Sequence, residues 1–248
     1  MIKRILLCFL LISGCSKDAD RDSIYLAANG ITIKCDGTGA VGDTFEVNGI
    51  TYTIVDEAML RDMVAQGADI SNVCTSRVTD MSGVFSSTNF NQDIGSWDVS
   101  NVIDMDGMFY GSLFNQDVGF WDVSSVTKMG SMFQDTPFNQ DIRSWDVSNV
   151  TQMGYMFRGS PFNQDISSWD VSNVIFMAYT FSLSEYNQDL SAWNVSSVTV
   201  MEGMFRDSSF NQDLSGWNVG NVTDCSEFSL DTPQWLLPKP NFTNCDPN

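Results

Sequence analysis

The chain has 248 residues, 43% of them hydrophobic and 12% aromatic, the composition of a protein with a substantial folded core. Its formal charge of −19 repels nucleic acid and anionic lipid surfaces, and leaves cations, basic partners or simple solubility as its consequence. It contains no histidine, which removes Ser-His-Asp and Cys-His catalysis and every metal site that needs an imidazole.

Residues 1–14 read as an export leader. Met1-Ile2-Lys3-Arg4 is a short positive start, and the apolar run from Ile5 to Ile12 has the length of a signal-peptide core but is too short for a mature bilayer span. Ile12-Ser13-Gly14-Cys15 resembles the lipobox of bacterial lipoproteins. That resemblance implies cleavage before Cys15, whose thiol then carries the lipid that anchors the chain. Residues 15–22 form a polar tether, and its Lys17-Asp18 pair resembles the surface-export signal of Bacteroidetes lipoproteins. This implies the outer-membrane surface, while a plain tether would leave the chain facing the periplasm.

Residues 23–80 predict a small α+β cap. A strand is expected over 31–33, and a hairpin over 44–47 and 50–55, because Asn48-Gly49 suits the positive φ angles of a type I′ turn. Asp56-Glu57 opens a helix through Gln66 that ends at Gly67, with Met59, Leu60, Met63 and Val64 on its apolar face.

From residue 81 to 224 the chain repeats with a period of 24, six times over. Tryptophan stands at 97, 121, 145, 169, 193 and 217, and each is preceded by Asn-Gln-Asp at the same interval, beginning at 91–93. Alternation along an extended strand puts Trp97 and Val99 on one face and Asp98 on the other, so the tryptophans are expected in the core rather than as a platform for sugar rings. The methionine series from Met81 to Met201 is core filler by the same argument, not a copper site. One unit cannot bury its own apolar face. Stacking would give a repeat solenoid with a parallel sheet, one short strand per coil at Ile-x-x-Trp-x-Val, spaced about 4.8 Å apart.

Phe90-Asn91-Gln92-Asp93-Ile94, Trp97-Asp98-Val99-Ser100-Asn101-Val102 and Met105-Asp106-Gly107-Met108-Phe109 closely resemble the BspA-like leucine-rich-repeat surface proteins, and more specifically the repeats of unknown function first grouped from mycoplasma surface proteins. The resemblance implies a leucine-rich-repeat-like fold and attachment to extracellular protein, other cells or polysaccharide. Thr180, Tyr186, Asn194 and Asn218 depart from the pattern.

Residues 225–248 form the C-terminal cap, with Cys225, Phe228, Trp235, Leu236 and Leu237 expected over the last coil. Four cysteines besides Cys15 follow the leader, an even number that suits two disulfides in an exported chain. Of the three pairings, Cys35 with Cys74 and Cys225 with Cys245 puts one staple in each cap, where stacked units fray; the absence of Cys-x-x-Cys spacing argues against zinc.

Two sets of residues are candidates for function. Asp93, Asp117, Asp141, Asp165, Asp189 and Asp213 repeat at coil spacing, where calcium could neutralise them; the bland alternative gives the Asn-Gln-Asp ladder the task of satisfying backbone groups at a turn. The outward face carries Ser96, Asp98, Phe120, Asp122, Arg143, Asp146, Ser168 and Asp170, and Phe120 stands out because its equivalents are small or polar. The expected function is adhesion or extracellular binding without catalysis. A structural surface coat is the alternative, and a carboxylate-dependent secreted hydrolase fits less well, because enzymes need unlike acid and base environments and these carboxylates recur in like ones.

Overall fold

A computed structural model describes residues 24–35 and 37–247. Cys15, the leader and most of the tether–cap junction lie outside the described residues.

The cap begins with β1 (Ile24–Leu26) paired antiparallel to β2 (Ile33–Cys35), two residues beyond the expected strand. β3 (Thr44–Val47) and β4 (Ile50–Ile54) form the predicted hairpin, with Asn48 at φ 53° and Gly49 at φ 81°. β5 (Val73–Cys74) adds to β4 in parallel. Between them runs α1 (Glu57–Ala65), opened by the Asp56 carboxylate, which accepts from the Met59 N–H at 2.9 Å. Leu60 is buried, and Met59, Met63 and Val64 pack against the main core. The cap is continuous with the repeats, because Ile33 pairs in parallel with Trp97 and its N–H donates to the Ser96 carbonyl at 2.8 Å.

The 24-residue units lie one on another in register. Parallel bridges join Asp80 to Asp104, Asp104 to Lys128, and so on at the same interval to Val200 and Asp224. These bridges fall on the residue before each methionine, seven residues past the tryptophan where the strand was expected. The Ile-x-x-Trp segment is instead a turn: the Trp97 N–H donates to the Ile94 carbonyl at 3.0 Å. Its backbone is claimed locally, since Asp93 accepts from the Gly95 N–H at 3.0 Å and Asp98 from the Ser100 N–H at 3.2 Å. Such side-chain turns compete with extended pairing. Trp97 and Val99 are nevertheless buried, as alternation required.

After each methionine the amides alternate in direction. Val84 and Ser86 donate back within their own unit, to Met81 and Gly83, while Gly83, Phe85 and Ser87 donate to Asp106, Met108 and Tyr110 of the next. The alternation uses two positive-φ residues per unit, at 83 and 87 and at every 24th residue thereafter, with a last pair at 227 and 231 in the C-terminal cap. Only five of these fourteen are glycine, so the sequence carried no clear mark of them.

The core is a continuous set of ladders. Phe85, Phe109, Phe133, Phe157, Phe181 and Phe205 stack with centroids 5.5, 5.7, 5.9, 5.8 and 5.6 Å apart. Each repeat tryptophan donates its Nε1–H to a carbonyl of the preceding layer, Trp121 to Ile94 at 3.2 Å and Trp217 to Leu190 at 2.9 Å among them. Leaving such a buried donor unpaired would cost about 1–3 kcal/mol.

At the far end Trp235 meets Phe205 and Phe210 edge-on, 5.2 and 4.8 Å away, and Phe242 meets Phe228 at 4.9 Å. Leu236 and Leu237 do not cover the last coil: they are 84% and 42% exposed. Their N–H groups both donate to the Asn211 carboxamide of the sixth unit, at 2.8 and 3.2 Å, and their side chains stay outside. Both disulfides join the favoured partners, Cys35 with Cys74 and Cys225 with Cys245.

Candidate functional site

The Asn-Gln-Asp ladder is occupied by the backbone. The Asn91 Oδ1 accepts from the Asn115 N–H at 2.9 Å and from the Gln116 Nε2 at 3.1 Å, and Asn115 does the same for Asn139 and Gln140. Asp93, Asp117, Asp141, Asp165, Asp189 and Asp213 each accept the N–H two residues on, at 2.8 to 3.1 Å. These bonds hold the carboxyls of Asp141, Asp165 and Asp213 below the usual carboxylate range. Among the described residues, no group of three or more acidic or cysteine side chains is gathered as metal ligation would require.

The aspartates after tryptophan have a similar task. Asp122, Asp146 and Asp170 accept from the N–H of Ser124, Ser148 and Ser172 at 3.2, 3.0 and 3.0 Å. An amide oxygen serves as well, which explains Asn194 with Ser196 and Asn218 with Gly220. Asp98 differs, and its place on an open face is corrected: it is buried, because β2 lies across the first unit. The carboxylate accepts from Ser76 Oγ at 2.5 Å and Ser100 Oγ at 2.6 Å, and pairs with Lys34 at 3.3 Å. Arg143 is exposed but tied to Asp141 of its own unit at 2.9 Å.

Of the expected face residues, Phe120 and Ser96 line a concavity. An open groove of about 600 Å³ lies where the cap meets the first two units. Tyr52 of β4, Ile31 before β2, and Ser71 and Asn72 before β5 form one wall. Asp93, Gly95 and Ser96 of the first unit and Asp117 and Phe120 of the second form the other. Asp122, Asp146 and Asp170 take no part in it. Phe120 is 61% exposed, the most open aromatic ring among the described residues.

The repeat supplies its own baseline for this wall. Two residues before each tryptophan stand Gly95, Gly119, Arg143, Ser167, Ser191 and Ser215, and one before stand Ser96, Phe120, Ser144, Ser168, Ala192 and Gly216. The two glycines of the first position and the one aromatic of the second thus fall in the first two units. A Cβ on Gly95 would come within 2.9 Å of the Asp117 carbonyl, and one on Gly119 within 2.6 Å of the Asp141 carbonyl. The cap residues Tyr52, Ser71 and Asn72 carried no functional expectation, since only the folded contact brings them beside Phe120. The one available signal was an aromatic ring inside the polar hairpin strand Thr51-Tyr52-Thr53.

Among the described residues no helix is long and apolar enough to cross a membrane. No curated protein and no solved structure matches the chain. One family matches twice, over residues 56–161 and 136–234, which together cover well over half of the sequence. With its stacked 24-residue units accounted for in this way, the chain belongs to the family described as Mycoplasma protein of unknown function, DUF285.

Proposed function

We propose that the protein is a non-enzymatic cell-surface lipoprotein, a leucine-rich-repeat-like solenoid anchored through Cys15, which binds extracellular protein or polysaccharide in the groove beside Phe120. The observation that carries this reading is the position of Phe120, 61% exposed on a groove wall where three sibling units have serine. A large exposed ring has no folding task there, and a concavity beside it is the ordinary setting of a binding site. The groove is acidic and lacks a lysine or arginine in its lining, which suits a neutral or basic ligand. The regular remainder of the stack supports a binding role over a catalytic one, because its carboxylates occupy near-identical turns.

The test is adherence of cells displaying the full chain to immobilised matrix proteins and polysaccharides, with calcium and with chelator. Saturable adherence that Phe120→Ser abolishes is the expected result. Adherence indifferent to that substitution overturns the groove, and no adherence to any surface points to a structural coat. Loss in chelator alone assigns calcium to the aspartate ladder. Cys15→Ala should release the chain from the membrane fraction.

A further inference from the structure

We infer that the ligand of this groove is a neutral pyranose sugar, one face of its ring lying on Phe120 and its hydroxyls donating to Asp93 and Asp117. The inference rests on the groove being the binding site and goes on to say what fills it.

The hydrogen-bonding inventory points to a donor-rich ligand. Asp93 and Asp117 each commit Oδ1 to an N–H of their own unit, at 3.0 and 2.9 Å. The other oxygen of each carboxylate has no protein partner among the described residues, and an ionised carboxylate only accepts. The Asn72 carboxamide and the Ser96 hydroxyl in the same lining also have no side-chain partner among the described residues, so one group there can both give and receive. A pyranose matches this: vicinal hydroxyls donate to the carboxylates, and ring and glycosidic oxygens accept from the amide.

Phe120 supplies the remaining requirement. Its ring is 61% exposed on the groove wall, so it offers an open aromatic shelf. The C–H face of a pyranose is flat and apolar and matches an aromatic shelf. Gly95, with no side chain, keeps the floor beside the shelf low. Charge narrows the class further. Two carboxylates without a cation in the lining repel uronic acids, sialic acids and sulfated sugars.

The experiment titrates the purified protein with neutral hexasaccharides (a β-glucan, a mannan and a chitin series) and with a heparin hexasaccharide, followed by ligand-observed NMR. Binding of at least one neutral series, and none of heparin, is expected. Phe120→Ser, which installs the residue of three sibling units, should weaken it at least tenfold, and Phe120→Trp should preserve it. Asp117→Asn keeps the turn and should weaken binding several-fold, while Asp189→Asn, at the same repeat position away from the groove, should not. No binding of any neutral series, or binding that Phe120→Ser leaves intact, overturns the inference. Adherence measured in parallel separates the two levels. If a protein ligand is held after periodate destroys its sugars, and Phe120→Ser still releases it, the sugar is wrong and the groove is right. If Phe120→Ser leaves adherence unchanged, the groove itself is wrong.

Discussion

Thr180 occupies a core position held by methionine in four units, and its hydroxyl donates to the carbonyls of Met177 and Met153 at 2.8 and 3.1 Å. Tyr186, at a position that is phenylalanine in the five other units, finds no such partner for its buried hydroxyl, and burial drives its pKa far up. A buried unpaired hydroxyl costs about 1–3 kcal/mol, so Tyr186→Phe should raise stability by about 1 kcal/mol in urea unfolding. An unchanged midpoint would mean that the hydroxyl is satisfied. Asp98 makes a pH-dependent contribution. Burial pushes its pKa up, but the Ser100 and Ser76 donors and Lys34 outweigh it, and the folded value lies below the ordinary one of about 3.9. Its stabilisation is therefore complete above that ordinary value and disappears as pH falls through the folded one. Asp98→Asn should be less stable than the parent at pH 7, with the difference narrowing as pH falls below the ordinary carboxylate range; a difference that stays constant on acidification would contradict the assignment.

At the scale of the repeat unit, the turn after each methionine depends on left-handed residues that are mostly not glycine. Leu183 stands there with φ 57° and is half exposed. A left-handed non-glycine residue costs about 1–2 kcal/mol, and glycine's extra freedom in the unfolded chain returns about 0.5–1. Leu183→Gly should therefore stabilise by about 0.5–1 kcal/mol in the same assay, and a loss would show that the leucine side chain contributes more than its backbone costs. These turns explain where the sequence was legible and where it was not. The buried tryptophans, the Asn-Gln-Asp backbone ladder, the Asn48-Gly49 hairpin and both disulfide pairings followed from spacing and local chemistry. The inter-unit pairing did not, because alternation says which side chains point inward but not which amides reach the next layer. A hydroxyl does stand at 88, 112, 136, 160, 184 and 208, and those of Thr88, Thr136 and Ser184 donate to the carbonyl three residues back, yet spacing alone left that position blank. Asp98 was misplaced because its cover, β2, comes from more than sixty residues away. Phe120 was legible as an oddity, whereas the wall that faces it was not.

Over the whole molecule the ends bear the risk of fraying, and each is stapled. The Cys225–Cys245 loop spans 20 residues, for which chain entropy gives about 3 kcal/mol. Replacing both cysteines by serine should lower stability by about that amount, with amide exchange rising first after residue 200. A uniform rise along the stack would show instead that the units melt together. The groove lies wholly in the cap and the first two units, while every later layer bonds only to its neighbours at an interval of 24. The length of the stack and the shape of the groove are therefore set by different units. A chain with one more or one fewer of the third to sixth units would change in length by one layer and keep every residue that lines the groove.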